Sequence, residues 1–124
     1  MKHALLVFLG GGIGSVLRYL IAKPLNNFHQ HFYLGTFAVN VIGCLVIGIV
    51  MGLASKNELF SQQGVLFFAT GVCGGFTTFS AFAFEKHAFL KQGDFLPLFI
   101  YLFSSIFLGV LAVALGLWIT RITE

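Results

Sequence analysis

The run that decides the fold reads Gly71-Val72-Cys73-Gly74-Gly75-Phe76-Thr77-Thr78-Phe79-Ser80-Ala81-Phe82-Ala83-Phe84-Glu85. It closes a charge-free, mostly apolar stretch that begins at Phe60. Such a stretch exceeds the roughly 20 residues a helix needs to cross a bilayer. Its middle, however, holds residues that a helix tolerates poorly. A glycine costs about 1 kcal/mol against alanine, and paired threonines carry hydroxyls that compete for backbone hydrogen bonds. The run therefore predicts a spanning helix broken in mid-membrane. Carbonyls freed there need a partner, and a small cation or a water molecule would each serve. The half-helix that restarts after Thr77 would aim its N-terminal N–H groups into the protein, an end that suits an anion. Broken transporter helices hold both kinds of ion in this way. A water-filled packing kink is the plainer alternative.

Outward from this run, the charges mark the other spans. They stand at Lys2, Arg18, Lys23, Lys56, Glu58, Glu85, Lys86, Lys91, Asp94, Arg121 and Glu124. The gaps between them give spans at about 3–22 (continuing past Arg18), 32–54, 60–84 and 95–120. Lipid tolerates no unpaired backbone, so these are helices, and no strand-like alternation argues for a barrel. Composition agrees. Of 124 residues, 58% are hydrophobic and 9% charged, with a mean hydropathy of +0.97. Soluble domains are about a quarter charged, and a small soluble fold buries only about two-thirds of its surface. The expected fold class is an all-α membrane protein of four transmembrane helices, one domain over residues 1–124. Gly10-Gly11-Gly12 follows the first apolar run without an A-x-A-like cleavage site, so that run is read as a mature span rather than a signal.

Smaller features exclude other classes. A net charge of +3 without a basic stripe argues against nucleic acid as a partner. Cys44 and Cys73 sit in apolar runs and read as small fillers. His29-Gln30-His31 resembles a metal pair only faintly, lacking a third ligand nearby. Charge balance carries more information. Lys2, Lys56 and Arg121 fall on one side of a four-span chain, and Arg18, Lys23, Lys86 and Lys91 on the other. Orientation is set by Lys/Arg asymmetry; without it both orientations are expected, and an antiparallel, dual-topology homodimer follows. Gly10-x-x-x-Gly14, Gly48-x-x-x-Gly52 and Gly71-x-x-x-Gly75 predict close helix packing without naming a partner helix.

Several residues are candidates for chemistry. Phe79 and Phe82, at i and i+3, share a helix face. An aromatic edge is electropositive, so two edges on a narrow wet path would favour a small anion without trapping it. Sixteen phenylalanines are present, so most must serve lipid or core instead. Thr78 and Ser80 add hydroxyls beside these rings. Asn40 lies deep in the second span; an interhelical hydrogen bond is favoured by spacing, with donation to a passing anion the sharper alternative. Tyr101 and Ser105, at i and i+4, form a polar stripe or an ordinary interhelical pair. Arg18 either snorkels to the interface or lines an anion vestibule. Glu85 reads as a structural cap or ion-pair partner.

These residues carry a resemblance. The chain is similar to the small fluoride channels of the Fluc/CrcB type. The similarity runs from Gly11-Gly12-Ile13-Gly14-Ser15-Val16-Leu17-Arg18-Tyr19 through Gly35-Thr36, Asn40 and Gly43 to the third-span motif. Ser15 stands where the family often has alanine. The resemblance implies a dual-topology homodimer in the bacterial inner membrane, with two antiparallel pores exporting fluoride passively. It implies that Phe79 and Phe82 line each pore, that Asn40 donates to the ion, and that Thr78, Ser80, Tyr101 and Ser105 lie along a polar track. Arg18 would sit at the vestibule, and the Gly74 and Thr77 carbonyls of both subunits would hold a structural Na+. A proton-coupled multidrug exporter is the main rival. It needs an intramembrane carboxylate, and Glu58, Glu85, Asp94 and Glu124 all fall at span ends or in loops. An intramembrane enzyme built on Thr77, Thr78 or Ser80 would need a base, for which His87 is the nearby candidate. A non-catalytic assembly subunit would leave the polar break unexplained.

Overall fold

The computed structural model describes residues 1–28, 32–56 and 60–122. His29, His31, Glu58 and Glu124 lie outside the described residues. Five helical elements follow in order. Helix α1 is Lys2–Phe28 and α2 is Leu34–Lys56. Helix α3 covers residues 62–76, α4 is Phe79–Gln92 and α5 is Phe95–Ile122. With α3 and α4 taken as one span, four helices are long and apolar enough to cross a membrane.

Two helices outrun the spans expected from charge gaps. Helix α1 continues past Ala22 and over Pro24 to Phe28, and α4 continues past Glu85 to Gln92. Glutamate and lysine are good helix formers, so charge alone does not end a helix. Gly93 does. It adopts φ 75°, the left-handed cap that glycine takes without a Cβ penalty. Its N–H donates to the Leu90 carbonyl at 3.2 Å, and that of Asp94 to Phe89 at 3.1 Å.

The glycine pairs set the packing, and each is used within the chain. On α1, Gly10 and Gly14 lie against Gly71, Val72 and Phe76 of α3. A Cβ on Gly71 would stand 2.9 Å from the Gly10 Cα, and one on Gly75 would stand 3.0 Å from the Gly11 Cα. On α2, Gly48 lies against Val113 and Gly52 against Thr120, while Gly116 of α5 abuts Leu45 and Ile49. Backbone approach of this kind maximises van der Waals contact where lipid removes the hydrophobic drive. Helix α3 itself is mostly π-helical, over Leu66–Cys73. That wider winding occurs often at functional sites and has no signature in hydropathy.

Candidate functional site

Helix α3 ends at Phe76. Thr77 (φ −85°, ψ 160°) and Thr78 (φ −149°, ψ 118°) are extended, and α4 starts at Phe79. An interruption inside an apolar span exposes backbone groups that must be satisfied, and neighbouring side chains take several of them. The Thr78 N–H donates to Asn40 Oδ1 at 2.8 Å, and the Thr78 carbonyl accepts from Asn40 Nδ2 at 3.1 Å. The Arg18 Nε donates to the Gly75 carbonyl at 3.1 Å. The Thr78 hydroxyl accepts from the Ala81 N–H at 3.2 Å and so caps α4.

These substitutions leave a residue of acceptors. In an unbroken helix the Thr78 N–H would serve the Gly74 carbonyl, and the Ala81 N–H that of Thr77. Both donors are turned elsewhere. Gly74 and Thr77 thus present carbonyl oxygens deprived of their helical donors, which is the donor set that suits a hard monovalent cation.

Two cavities meet at Thr78. The larger, about 470 Å³, is lined by Asn40, Thr77, Thr78, Phe79, Phe82 and Ser105, with Gly74 and apolar side chains of α2, α3 and α5 completing it. No charged residue lines it. The Phe79 and Phe82 rings lie 6.0 Å apart at 38°, so the i, i+3 pair does share a face. Phe79 is 79% exposed on the single chain. The Ser80 hydroxyl lies 3.3 Å from that of Thr78. Ser105 donates to the Tyr101 carbonyl at 2.7 Å and borders the cavity. The smaller cavity, about 270 Å³, is polar. Arg18, Lys23, Asn26, Thr36, Thr78 and Glu85 contribute to its wall. Arg18 therefore borders the smaller cavity and the interruption together.

Tyr101 sits apart from both cavities. It is fully buried (0% exposed) in a cluster with Phe89 and Leu98. Its hydroxyl lies 3.1 Å from Glu85 Oε2 and 3.3 Å from the Tyr33 carbonyl. Its ring lies 5.7 Å from that of Phe82. Contact with the candidate path thus runs through Phe82 and Glu85.

Glu85 is the residue whose place the sequence conceals. It is 4% exposed, and Thr36 Oγ1 donates to its Oε1 at 2.5 Å. Asn26 extends this network. Its Oδ1 accepts from the N–H groups of Gly35 and Thr36, at 2.8 and 3.2 Å, and its Nδ2 donates to Thr36 Oγ1 at 3.3 Å. Glu85 is thus no exposed cap; burial of its side chain is made possible by two hydroxyl donors. The i, i+4 spacing of Thr36 and Asn40, which places both on one face of α2, is the sequence signal that could have found Thr36. Asn26 and the depth of Glu85 have no such signal.

Four helices long and apolar enough to cross a membrane, around a discontinuous backbone and two cavities, mark a multi-pass membrane protein. The chain belongs to the family described as CrcB-like protein, Camphor Resistance (CrcB), which it matches over residues 5–117. It is 48% identical to the fluoride-specific ion channel FluC of Gloeothece citriformis, with 98% of each chain covered. It is 45% identical to the FluC of Phocaeicola vulgatus, covering 98% of this chain and all of that one. It is 40% identical to the FluC of Helicobacter pylori strain G27, over 91% and 88% of the two chains.

Proposed function

We propose that this chain is a passive, fluoride-selective channel. The observation that carries the reading is likeness of 40–48% identity, over nearly the whole chain, to proteins named fluoride-specific ion channels. The chemistry of the larger cavity supports it. An anion there meets ring edges and hydroxyls but no fixed cation, and conduction needs binding weak enough to release the ion. Phe79 and Phe82 supply electropositive edges. Thr78, Ser80 and Ser105 supply a polar track, and the second N–H of Asn40 Nδ2 remains for the ion after the first is used on Thr78. Arg18, with Lys23, raises local anion concentration in the smaller cavity. Tyr101 acts through Phe82 and Glu85 rather than on the ion.

The physiological logic is acid–base trapping. Hydrogen fluoride crosses bilayers as a neutral weak acid and dissociates in the less acidic cytoplasm. The membrane potential then drives the anion out through an open path, without a coupled energy source. The channel is a transporter rather than an enzyme, and we place it in the bacterial inner membrane.

The working unit is an antiparallel homodimer. Arg18 and Lys86 are partly or wholly buried. Setting them aside leaves Lys2, Lys56 and Arg121 against Lys23 and Lys91, still near balance. The exposure of Phe79 beside the cavity also supports a second chain covering that face. The Gly74 and Thr77 carbonyls of both copies would hold a Na+ at the shared axis, where it would neutralise convergent carbonyl dipoles.

The test is anion efflux from liposomes reconstituted with the protein, with a potassium shunt. Rapid fluoride release with chloride retained is expected; equal passage of both anions overturns selectivity. Reporter tags on both termini should appear in both compartments, and a single orientation across all copies overturns the antiparallel dimer.

A further inference from the structure

Lys86 follows Glu85 on α4 and lines neither cavity. It is buried, 8% exposed. Among the described residues, its Nζ is the buried side-chain polar atom without a hydrogen-bond partner. A lysine ammonium carries three donors, so such burial is costly unless something replaces water. Aromatic faces replace it. Nζ stands over the Tyr101 ring, 3.0 Å from its centroid, and over the Phe82 ring at 4.1 Å; Phe89 is 5.9 Å away. The neighbouring Glu85 turns its carboxylate to Thr36 and the Tyr101 hydroxyl instead.

One ring can serve a cation and an anion together. Its face is negative and attracts an ammonium, while its edge is positive and attracts an anion. A cation fixed on the face draws ring electron density toward itself and leaves the edge more positive. It also restrains the ring from turning its face toward the anion. Phe82 has Lys86 on its face and borders the larger cavity. Lys86 is not among the residues lining that cavity, so its ammonium acts on an ion there from behind the ring rather than by direct contact.

We infer that Lys86 is a positioning residue for permeation, setting the affinity of the Phe82 edge for a small anion from the opposite side of the ring. The inference rests on the reading of Phe82 as a ring of the fluoride path. It accounts for a feature the channel reading leaves open: an ammonium buried next to an anion route yet withheld from direct contact with it. A lysine on the path would bind the ion too long, whereas one behind a ring biases the path without becoming its trap.

The experiment measures fluoride current or efflux against fluoride activity, using the full-length protein in planar bilayers or liposomes. Lys86→Met keeps the length of the side chain and removes the charge. It should raise the half-saturating fluoride concentration about tenfold, the size of one desolvated cation–π contact. Lys86→Arg, which also stacks a cation on rings, should restore it to within about twofold. In a Phe82→Ile background, Lys86→Met should leave the half-saturating concentration unmoved, because the coupling is lost with the ring. A lowered number of active channels with unchanged half-saturation identifies a purely structural lysine and overturns the inference. So does an equal shift with and without the Phe82 ring. If Lys86→Met is not recovered, Lys86→Gln carries the same comparison. A wild-type protein that passes no fluoride instead overturns the channel reading itself, so the two failures are distinct.

Discussion

Asn40 bonds both backbone groups of Thr78 with one amide, and removing that amide separates fold from permeation. Asn40→Ala leaves the Thr78 N–H and carbonyl without the partners now at 2.8 and 3.1 Å. An orphaned buried group costs about 1–3 kcal/mol, but interhelical bonds in membranes average only about 0.6 kcal/mol and reach about 1.7. Two such bonds place the loss at about 1–3 kcal/mol. Asn40→Asp keeps an acceptor for the Thr78 N–H but loses the donor to its carbonyl and buries a carboxylate there, so it should be no more stable than alanine. Permeation separates the variants further. A carboxylate about 4 Å from a fluoride ion repels it by roughly 4 kcal/mol at an effective dielectric of about 20, close to a thousandfold. Asparagine-to-aspartate should therefore nearly abolish fluoride flux, well beyond the loss that alanine causes. Thermal unfolding in detergent and efflux from liposomes measure the two orders side by side. Wild-type stability in Asn40→Ala would refute the clamp, and appreciable fluoride flux in Asn40→Asp would refute the contact with the ion.

Three further outcomes are expected. Phe79→Ile or Phe82→Ile should cut fluoride efflux at least tenfold, about one edge contact, with the elution volume of the assembly unchanged; wild-type efflux in both removes the ring edges from the mechanism. Gly71→Val should destabilise the protein by at least about 1–3 kcal/mol, because even a Cβ meets the Gly10 backbone at 2.9 Å; unchanged unfolding would show that α1 and α3 part freely. Glu85→Gln keeps one acceptor for Thr36 or Tyr101 and forfeits the other, for a loss of about 1.5–3 kcal/mol measured by unfolding at neutral pH; with Glu85 present, fluoride efflux should proceed without a pH gradient, and dependence on such a gradient would restore the proton-coupled alternative.

Hydropathy and charge gaps make the four spans legible, because a bilayer enforces length and excludes charge regardless of tertiary detail. Thr77-Thr78 also signal where the backbone departs from helix, whereas Gly74 and Gly75, expected to interrupt it, stay helical. What those signals lack is direction. The sequence places Asn40 at the right depth, but only packing shows its amide turned onto Thr78. Arg18 looks like an interfacial anchor until the freed Gly75 carbonyl supplies a reason for it to turn inward. Glu85 and Lys86 read as a polar helix end. Their burial depends on Thr36 and Asn26 from two other helices and on rings from α4 and α5, contacts with no local periodicity. The π-helical winding of Leu66–Cys73 escapes for a similar reason: it changes hydrogen-bond register without changing composition.

The interruption also explains why so few polar residues suffice in so apolar a chain. Breaking a helix inside lipid frees donors and acceptors in known register, and each must be met. Asn40 from α2, Arg18 from α1 and the Thr78 hydroxyl meet them from three directions. Every group met this way fixes the extended Thr77–Thr78 segment more firmly, so the residues that satisfy the break also hold Phe79 and Phe82 at the start of α4 in place. The Gly74 and Thr77 carbonyls are among those that lose their helical donors without a replacement from these side chains. One irregular turn, closed on several sides by side chains, thus brings backbone carbonyls and two ring-bearing residues to the wall of the same cavity.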